Sequence, residues 1–147
     1  MKRDLGDGYE LDDDKARIDR EAVHRYLSKE SYWAKGRSRE VQDGLIDGAE
    51  RVVGLYKDGW QVGFSRALSD GFVQSYLADV YVLGEHRGRG LGVELVRFSV
   101  DEGPLAHTSW YLHTADAHGL YRKLGFDTPG MRVLERRRRG TEPTPRV

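Results

Sequence analysis

The sequence lacks cysteine entirely, which excludes disulfides, thiolate metal sites and a cysteine nucleophile. It also lacks net charge, because 24 basic side chains balance 24 acidic ones, so no overall field attracts the chain to nucleic acid or anionic lipid. No apolar run approaches the roughly 18 residues that span a membrane, and residues 1–10 are polar and acidic. With 147 residues, the chain is long enough for one core but too short for two. These features predict a single-domain, cytoplasmic protein with no membrane partner.

The first third of the chain is predicted to contain two helices. Residues 9–18, ahead of them, are interpreted as an edge strand. Apolar side chains over residues 20–29 recur at helical spacing, and Asp19 is placed to cap the first turn. A second helix is predicted over residues 38–46. The apolar stripe of this second helix consists of Val41, Leu45 and Ile46.

A β-hairpin is predicted at mid-chain, because Asp58-Gly59 separates two strand-like runs over residues 51–56 and 60–68. The next run, over residues 72–83, is too apolar for a strand with one exposed face and is interpreted as an interior strand. The later elements are predicted as a helix over 90–101, a strand over 109–113, a short helix over 117–124 and a last strand over 131–134.

Residues 136–147 differ in composition from the rest of the chain, since four consecutive arginines precede two prolines and few apolar side chains. We predict a disordered basic tail here, after a single domain over residues 1–135. A basic tail can contact nucleic acid phosphates, but this one has no interleaved aromatic residue and follows Glu135. Nucleic acid is therefore not an expected partner.

A loop of alternating glycines and arginines joins the predicted interior strand to the next helix. Its residues are Arg87, Gly88, Arg89, Gly90, Leu91 and Gly92. Free backbone N–H groups at a helix start bind phosphate, glycines let the backbone approach the anion, and arginines supply forked donors. The pattern favours a phosphate site, with a plain glycine-rich turn before a surface helix as the alternative. The P-loop ending Gly-Lys-Ser/Thr is missing, and Val93 stands where a dinucleotide fingerprint needs glycine or alanine, so both of those motifs are excluded.

Residues 87–92 resemble the Arg/Gln-x-x-Gly-x-Gly/Ala signature of the GNAT superfamily of acetyl-CoA-dependent N-acetyltransferases. Residues 117–126, farther along the chain, resemble the second motif of that family, an aromatic residue followed by Leu-Gly-Phe. Two motifs in the family order are more specific than either alone, and the resemblance covers roughly residues 20–135. It implies an α/β fold with a central, mixed, mostly antiparallel and splayed sheet flanked by about four helices.

The resemblance implies an enzyme that transfers an acetyl group from acetyl-CoA to the amine of a small molecule or peptide, without a metal. The amine would attack the thioester directly in a ternary complex. The implied acetyl-CoA-binding residues are Val80, Tyr81, Val82, Arg87, Gly88, Arg89, Gly90, Leu91, Gly92, His118 and Tyr121. The alternative from a different class is a non-catalytic coenzyme-A-binding sensor or interaction module of the same fold. Family members often pair, so a homodimer is one expected state.

Tyr121 occupies the position of the family's tyrosine, which implies that its phenol protonates the departing thiolate. The alternative is that Tyr121 packs on the sheet with Phe126. The base that takes the proton of the amine is less well defined, and Asp79 is the candidate catalytic residue on the interior strand. The other candidates for the base are His113, Asp116 and His118. Asp116 also has the position of an ordinary helix N-cap.

In the GNAT superfamily, acceptor specificity usually comes from the first two helices and their connection, which here corresponds to residues 31–38. Tyr32, Trp33 and Arg37 are the candidate substrate-binding residues, because aromatics beside cationic groups can line a pocket for an acceptor with a carboxylate. The alternative is that Tyr32 and Trp33 cover the core, while Lys35 and Arg37 are solvated loop charges.

Overall fold

The computed structural model describes residues 1–138, which contain one six-stranded sheet and four α-helices. The strands are β1 (Lys2–Gly6), β2 (Tyr9–Asp12), β3 (Arg51–Lys57), β4 (Trp60–Ser69), β5 (Gln74–Val82) and β6 (Ser109–Tyr111). The helices are α1 (Arg20–Lys29), α2 (Arg39–Asp47), α3 (Leu91–Val100) and α4 (His118–Arg122). The chain forms two compact units, and the first, Met1–Leu112, holds the whole sheet and α1 to α3. The second unit begins at His113 and holds α4.

The strands follow one another across the sheet in the order β1-β2-β3-β4-β5-β6. All neighbours are antiparallel except β5 and β6, which run parallel. The β5–β6 pairing extends only from Gln74↔Ser109 to Tyr76↔Tyr111, whereas β5 continues to Val82. The remainder of β5 therefore has no β6 partner within the described range, and the sheet opens there. The predicted mixed, mostly antiparallel and splayed sheet is confirmed.

The first two helices lie at their predicted positions. Asp19 caps α1 by accepting a hydrogen bond from a first-turn N–H at 3.0 Å, and Ser38 is the N-cap of α2. The buried face of α2 differs from the predicted apolar stripe. Val41 is 52% exposed, and Gln42 is fully buried instead. The Arg37 guanidinium donates to Gln42 Oε1 at 2.9 Å, which offsets the cost of burying this amide. Apolar spacing alone does not reveal a polar residue on the inner face of a helix.

Hydrophobic side chains pack on both faces of the sheet. Val52 and Val53 are neighbours in β3, so they point to opposite faces, and they belong to two separate clusters. The Val52 cluster includes Leu27 of α1 and Ile46 of α2, whereas the Val53 cluster includes Phe98 of α3. Each fully buried Leu, Ile or Phe contributes about 1.5–3 kcal/mol by leaving water. One face of the sheet is thus covered by α1 and α2, and the other by α3.

The hairpin of β3 and β4 turns at Asp58-Gly59, as predicted. These residues have φ angles of 49° and 86°, which suit the two-residue turn that matches the twist of the strands. Lys57 and Trp60 are the last cross-strand pair before the turn. The interior strand and the helix after it are confirmed as β5 and α3.

The N-terminal part of the sheet differs from the prediction. β1 pairs with β2, so β2 is not an edge strand, and β2 ends at Asp12 rather than continuing to Ile18. A short 3-10 helix, Lys15–Arg17, follows it. β1 escapes the apolar pattern because only two of its residues, Arg3 and Leu5, are half-buried, and only Leu5 is apolar. Backbone pairing holds it in place, together with an ion pair between Arg3 and Glu94 of α3 at 2.8 Å.

The predicted last strand over residues 131–134 is wrong. A 3-10 helix lies at Gly130–Arg132, and no strand follows β6 in the part of the chain that the structure describes. Met131 and Leu134 are 97% and 94% exposed, so these apolar side chains do not pack in a sheet. Apolar residues without a neighbouring strand cannot form a β-ladder.

Of the predicted basic tail, residues 136–138 are described, and Arg137 forms an ion pair with Glu135 at 2.6 Å. The remainder of the tail, residues 139–147, lies outside the described residues, so its disorder stays a prediction. The single-domain boundary at residue 135 also stays a prediction. No helix among residues 1–138 is long and apolar enough to cross a membrane.

Candidate active site

The glycine loop, residues 87–92, connects β5 to α3 within the first unit. Gly88 and Gly90 have φ angles of 80° and 77°, in the left-handed region that favours glycine. Gly90 is the N-cap of α3, which begins at Leu91. A Cβ atom at Gly88 or Gly90 would meet no other atom within 4 Å, so the space beside both glycines is open. Glycine is needed here for its backbone conformation and leaves room for a ligand to approach.

The backbone N–H groups of the glycine loop are available to a ligand. Among the described residues, those of Gly88, Arg89 and Gly90 donate to no protein group. The first helical hydrogen bond runs from the Glu94 N–H to the Gly90 carbonyl at 3.2 Å, so the N–H groups of the first turn of α3 have no helical partner. The helix dipole adds positive potential at the same place. This set of N–H groups fits the pyrophosphate of coenzyme A.

The two arginines of the loop have different surroundings. Arg87 turns back toward the protein, where its Nε donates to the Val82 carbonyl at 2.9 Å and its Nη2 donates to the Tyr26 hydroxyl at 2.8 Å. Tyr26 in turn stacks on Tyr81, with ring centroids 4.0 Å apart. Arg87 therefore anchors the loop to β5 and α1. Arg89 is exposed and bonds to no described side chain, so only Arg89 keeps its full set of donors for an anion.

β5 carries a bulge next to the segment predicted to bind acetyl-CoA. Asp79 and Val80 together face Ser65 of β4, because the register shifts between Phe64 and Arg66. Asp79 has a φ angle of 55°, which is uncommon for a residue other than glycine. The predicted acetyl-CoA-binding residues on this strand are Val80, Tyr81 and Val82. They lie beyond the end of the β6 pairing, so the outer edge of their backbone has no strand partner among the described residues.

Asp79 is the buried centre of a group of side chains, the Asp79 cluster, which also contains Trp33, Arg37 and Arg66. Its Oδ2 accepts hydrogen bonds from Arg37 Nη1 and Arg66 Nε, both at 2.9 Å, and its Oδ1 accepts from Trp33 Nε1 at 3.0 Å. The side chain of Asp79 is only 2% exposed. Three donors thus occupy both carboxylate oxygens, which favours a positioning role for Asp79 over that of a base.

The Asp79 cluster brings the connection between α1 and α2 to the middle of the sheet. Trp33 and Arg37 both contact Asp79, and Tyr32 packs edge-to-face on Trp33 with ring centroids 5.0 Å apart. Arg37 is therefore not a solvated loop charge, whereas Lys35 is exposed. The three predicted substrate-binding residues lie together, and their function stays a prediction.

Sequence analysis missed two members of this neighbourhood, Arg66 and Gln42. Arg66 is 7% exposed and lies in the largely apolar strand β4. A lone charge in an apolar strand is a usable signal, because arginine is almost never fully buried without a partner. Gln42 contacts the cluster through Arg37, and no local spacing marks it. Only the packing of α2 on the sheet shows the role of Gln42.

The second unit contains the residues of the second motif. Tyr121 lies in α4 and is buried, with its ring edge-to-face on Phe126 at a centroid distance of 5.6 Å. The contact with Phe126 expected in the packing alternative is thus present, and it does not exclude a catalytic role for the hydroxyl. His118 is the first residue of α4. The roles of Tyr121 and His118 in catalysis and in binding stay predictions.

Two further candidates for the base precede α4. The interpretation of Asp116 as a helix N-cap is wrong, because α4 is capped at Ala117 without a side-chain bond. The Ala117 N–H donates instead to Thr114 Oγ1 at 3.1 Å. His113 Nε2 lies 3.3 Å from a carboxylate oxygen of Glu135.

The comparisons with known proteins agree with this geometry. The sequence matches the acetyltransferase (GNAT) domain family over residues 48–128. It is 35% identical to a protein described as an acetyltransferase of the GNAT family from Xanthomonas campestris pv. campestris. That match covers 88% of this chain and 92% of that chain, with a TM-score of 0.81. The chain belongs to the GNAT acetyltransferase family.

Two further solved structures resemble this one. A protein from Deinococcus radiodurans R1, described as an acetyltransferase, is 25% identical, with 91% of this chain and 92% of that chain covered and a TM-score of 0.69. A GNAT family acetyltransferase from Brucella melitensis in complex with acetyl-CoA is 20% identical, with 84% and 85% covered and a TM-score of 0.63. The second likeness concerns the fold alone. No curated protein matches the chain.

Proposed function

We propose that the protein is an N-acetyltransferase that moves an acetyl group from acetyl-CoA to the amine of a small molecule or peptide. The observation that carries the proposal is the glycine loop, where the N–H groups of Gly88, Arg89 and Gly90 face no acceptor within residues 1–138 at the start of α3. A helix start with free N–H groups stabilises a phosphate. Membership of the GNAT family supports the same cofactor.

The residues proposed to hold acetyl-CoA divide into two groups by the part of the molecule they bind. The glycine loop would hold the pyrophosphate, with Arg89 adding charge. The free edge of β5 at residues 80–82 would pair with the pantetheine arm through its backbone, as a further strand does. His118 and Tyr121 complete the proposed binding set. Acetyl-CoA supplies an activated thioester, so the protein needs to position the amine rather than form a covalent intermediate.

Tyr121 is the proposed general acid, because its hydroxyl can hold the proton that the sulfur needs as it departs. A backbone N–H beyond the bulge of β5 is the proposed donor to the carbonyl oxygen as negative charge develops there. Such a donor contributes about 2.7–4 kcal/mol in other acyl transfer enzymes.

Asp79 is proposed to position the acceptor side of the site rather than to act as the base, since its two oxygens already accept three hydrogen bonds. The base is then one of the other candidates, His113, Asp116 or His118, acting directly or through water. Asp79→Asn separates these roles. Loss of a base would remove the acidic limb of the pH–rate profile, whereas loss of a positioning carboxylate would lower the rate and keep that limb.

The proposal is tested first by thermal unfolding with and without acetyl-CoA. A ligand at a hundred times its dissociation constant stabilises the folded state by about 2.7 kcal/mol. A clear rise in Tm justifies an assay of thiol release with a panel of amines. No rise at saturating acetyl-CoA would contradict the proposal. A rise without turnover on any amine would instead support a coenzyme-A-binding sensor or interaction module.

A further inference from the structure

The Asp79 cluster carries an excess of positive charge inside the protein. Arg37 and Arg66 both pair with the same oxygen of Asp79, and their side chains are only 18% and 8% exposed. Among the described residues, no other acidic side chain forms an ion pair with either arginine. Two guanidinium groups against one carboxylate leave one uncompensated positive charge. A buried charge without a partner is costly, so the site favours an anion.

The same arginines have hydrogen-bond donors to spare. A guanidinium offers five N–H donors in a planar fork. Arg66 uses only Nε within the described chain, and Arg37 uses only Nη1, which is shared by Asp79 and Gln42. The Nε2 amide group of Gln42 is also buried without a partner among these residues. The cluster therefore combines unpaired donors with a net positive charge.

An open cleft adjoins the cluster along the same face of the sheet. Arg66 of β4 lies opposite Ala78 of β5, and Leu68 of β4 lies opposite Tyr76 of β5. The second cross-strand pair is thus two residues away from the first on each strand. Residues two apart in a strand point to the same face and lie about 6.6 Å apart. Leu68, Tyr76 and Tyr111 of β6 form the apolar and aromatic part of a cleft of about 380 Å³, whose other lining residues are polar: Ser69, Asp70, Gln74 and Ser75. A cationic, donor-rich group thus lies next to a partly apolar hollow.

We propose that the Asp79 cluster and this cleft form the acceptor subsite, and that the acceptor is an amine that also carries a carboxylate and an apolar side chain. This inference rests on the proposed acetyltransferase function. The carboxylate would pair with the free forks of Arg37 and Arg66, and the apolar part would occupy the cleft beside Leu68 and Tyr76. One uncompensated charge matches a carboxylate, whereas a phosphate dianion would leave negative charge in excess.

The first test compares matched acceptors with the unaltered protein. L-Phenylalanine and L-leucine are compared with their carboxamides as acceptors, at saturating acetyl-CoA. The amine of each amide is less basic than the amine of the acid, so a larger fraction of it is unprotonated at neutral pH. A preference for the acids therefore cannot come from a larger supply of unprotonated amine. We expect KM for each acid to be about tenfold or more below that of its amide, since charge-assisted hydrogen bonds distinguish them. Equal KM values would overturn the subsite.

The second test locates the preference in the cluster. Arg37→Gln is expected to raise KM for the acids about tenfold or more above any change in KM for the amides, so that the preference for the acids falls by about that factor. Arg39→Gln is the matched control, because Arg39 is an exposed arginine of α2 that pairs with Asp43 at 3.0 Å. A loss of KM selectivity in the control, or an equal rise for acids and amides in Arg37→Gln, would contradict the assignment. Arg66→Gln adds a second variant, and the wild-type comparison stands even if this variant fails to fold.

Binding measurements separate the inference from the function on which it rests. If acetyl-CoA does not stabilise the protein, the proposed function fails. If coenzyme A binds but no amine is acetylated, calorimetry on the coenzyme-A-saturated protein compares L-phenylalanine with its amide. Tighter binding of the acid, lost in Arg37→Gln, supports the subsite without any turnover. No binding of either compound, or equal binding of both, overturns it.

Discussion

Asp79, the centre of the Asp79 cluster, lies only a few residues before the glycine loop in the sequence, yet the two regions are built in opposite ways. The loop offers backbone N–H groups, and its glycines set the φ angles that expose them. The cluster offers side chains, and Asp79 holds Trp33 and Arg37 from the connection between α1 and α2 and Arg66 from β4, in hydrogen bonds of 2.9–3.0 Å. A backbone site can be encoded by a few consecutive residues. A side-chain site needs several elements to be packed first.

This difference predicts different responses to mutation. Loss of backbone conformation in the loop should weaken ligand binding while most of the fold remains, because the space beside Gly88 and Gly90 is open. Loss of a charged member of the cluster should weaken the fold itself, because its largely buried partners would be left with an unbalanced charge. The following experiments test that contrast, starting with the largest expected effect.

Asp79→Ala should give the largest loss of stability, about 3–5 kcal/mol, because it leaves two buried guanidinium groups without their shared partner. Chemical denaturation measures this change. Asp47→Ala is the control, since Asp47 pairs with Arg20 at 2.6 Å but is 66% exposed, and surface pairs contribute about 0–1 kcal/mol. Equal effects of the two substitutions would show that the cluster does not stabilise the fold.

Tyr121→Phe tests whether the second motif, a short run of consecutive residues, also supplies a catalytic side chain. We expect kcat to fall about 100-fold, since loss of a general acid typically costs a factor of this size or more. The affinity for acetyl-CoA and the Tm should change little, because the ring that packs on Phe126 is kept. An unchanged kcat with normal acetyl-CoA binding would remove Tyr121 from the mechanism.

Gly90→Val should lower the affinity for acetyl-CoA about tenfold or more, because a side chain displaces the anion and strains the left-handed conformation. Gly59→Val is the matched control, with a φ angle of 86° and equally open space in the β3–β4 turn. Both variants should lose similar stability, whereas only Gly90→Val should lose the rise in Tm with acetyl-CoA. Loss of that rise in both variants would refute a specific role for the loop.

The smallest expected effect concerns Tyr81, which lies on β5 between the two regions. Burial raises the pKa of Tyr81 well above the ordinary value of about 10. Because the pKa of Tyr81 is higher in the folded than in the unfolded protein, neutral Tyr81 contributes its full stability below pH 10. That stability is lost as the pH rises from 10 toward the pKa of the folded state. Tyr81→Phe should therefore lose less stability than the wild type between pH 9 and pH 11, measured by denaturant titration. Parallel losses would show that Tyr81 ionises freely.

The elements that follow simple local rules could be predicted from the sequence. Apolar spacing and the caps at Asp19 and Ser38 located α1 and α2, and Asp58-Gly59 located the hairpin. β1 could not be found in this way, because it is held by pairing with β2 and by ion pairs rather than by an apolar face. Residues 131–134 show the reverse case, an apolar pattern without a strand. Their apolar side chains are exposed, and no strand among residues 1–138 pairs with them.

The sequence by itself determined the GNAT family, the glycine loop and the order of the main strands and helices, because these depend on consecutive residues. The tertiary structure decided that Arg87 anchors the loop to Val82 and Tyr26, and that Asp79 is shared by two arginines. It also brought Arg66 and Gln42 to the Asp79 cluster. The physical reason is distance along the chain. Hydrogen bonds between residues tens of positions apart exist only after the sheet and α2 have packed, and no local pattern encodes them.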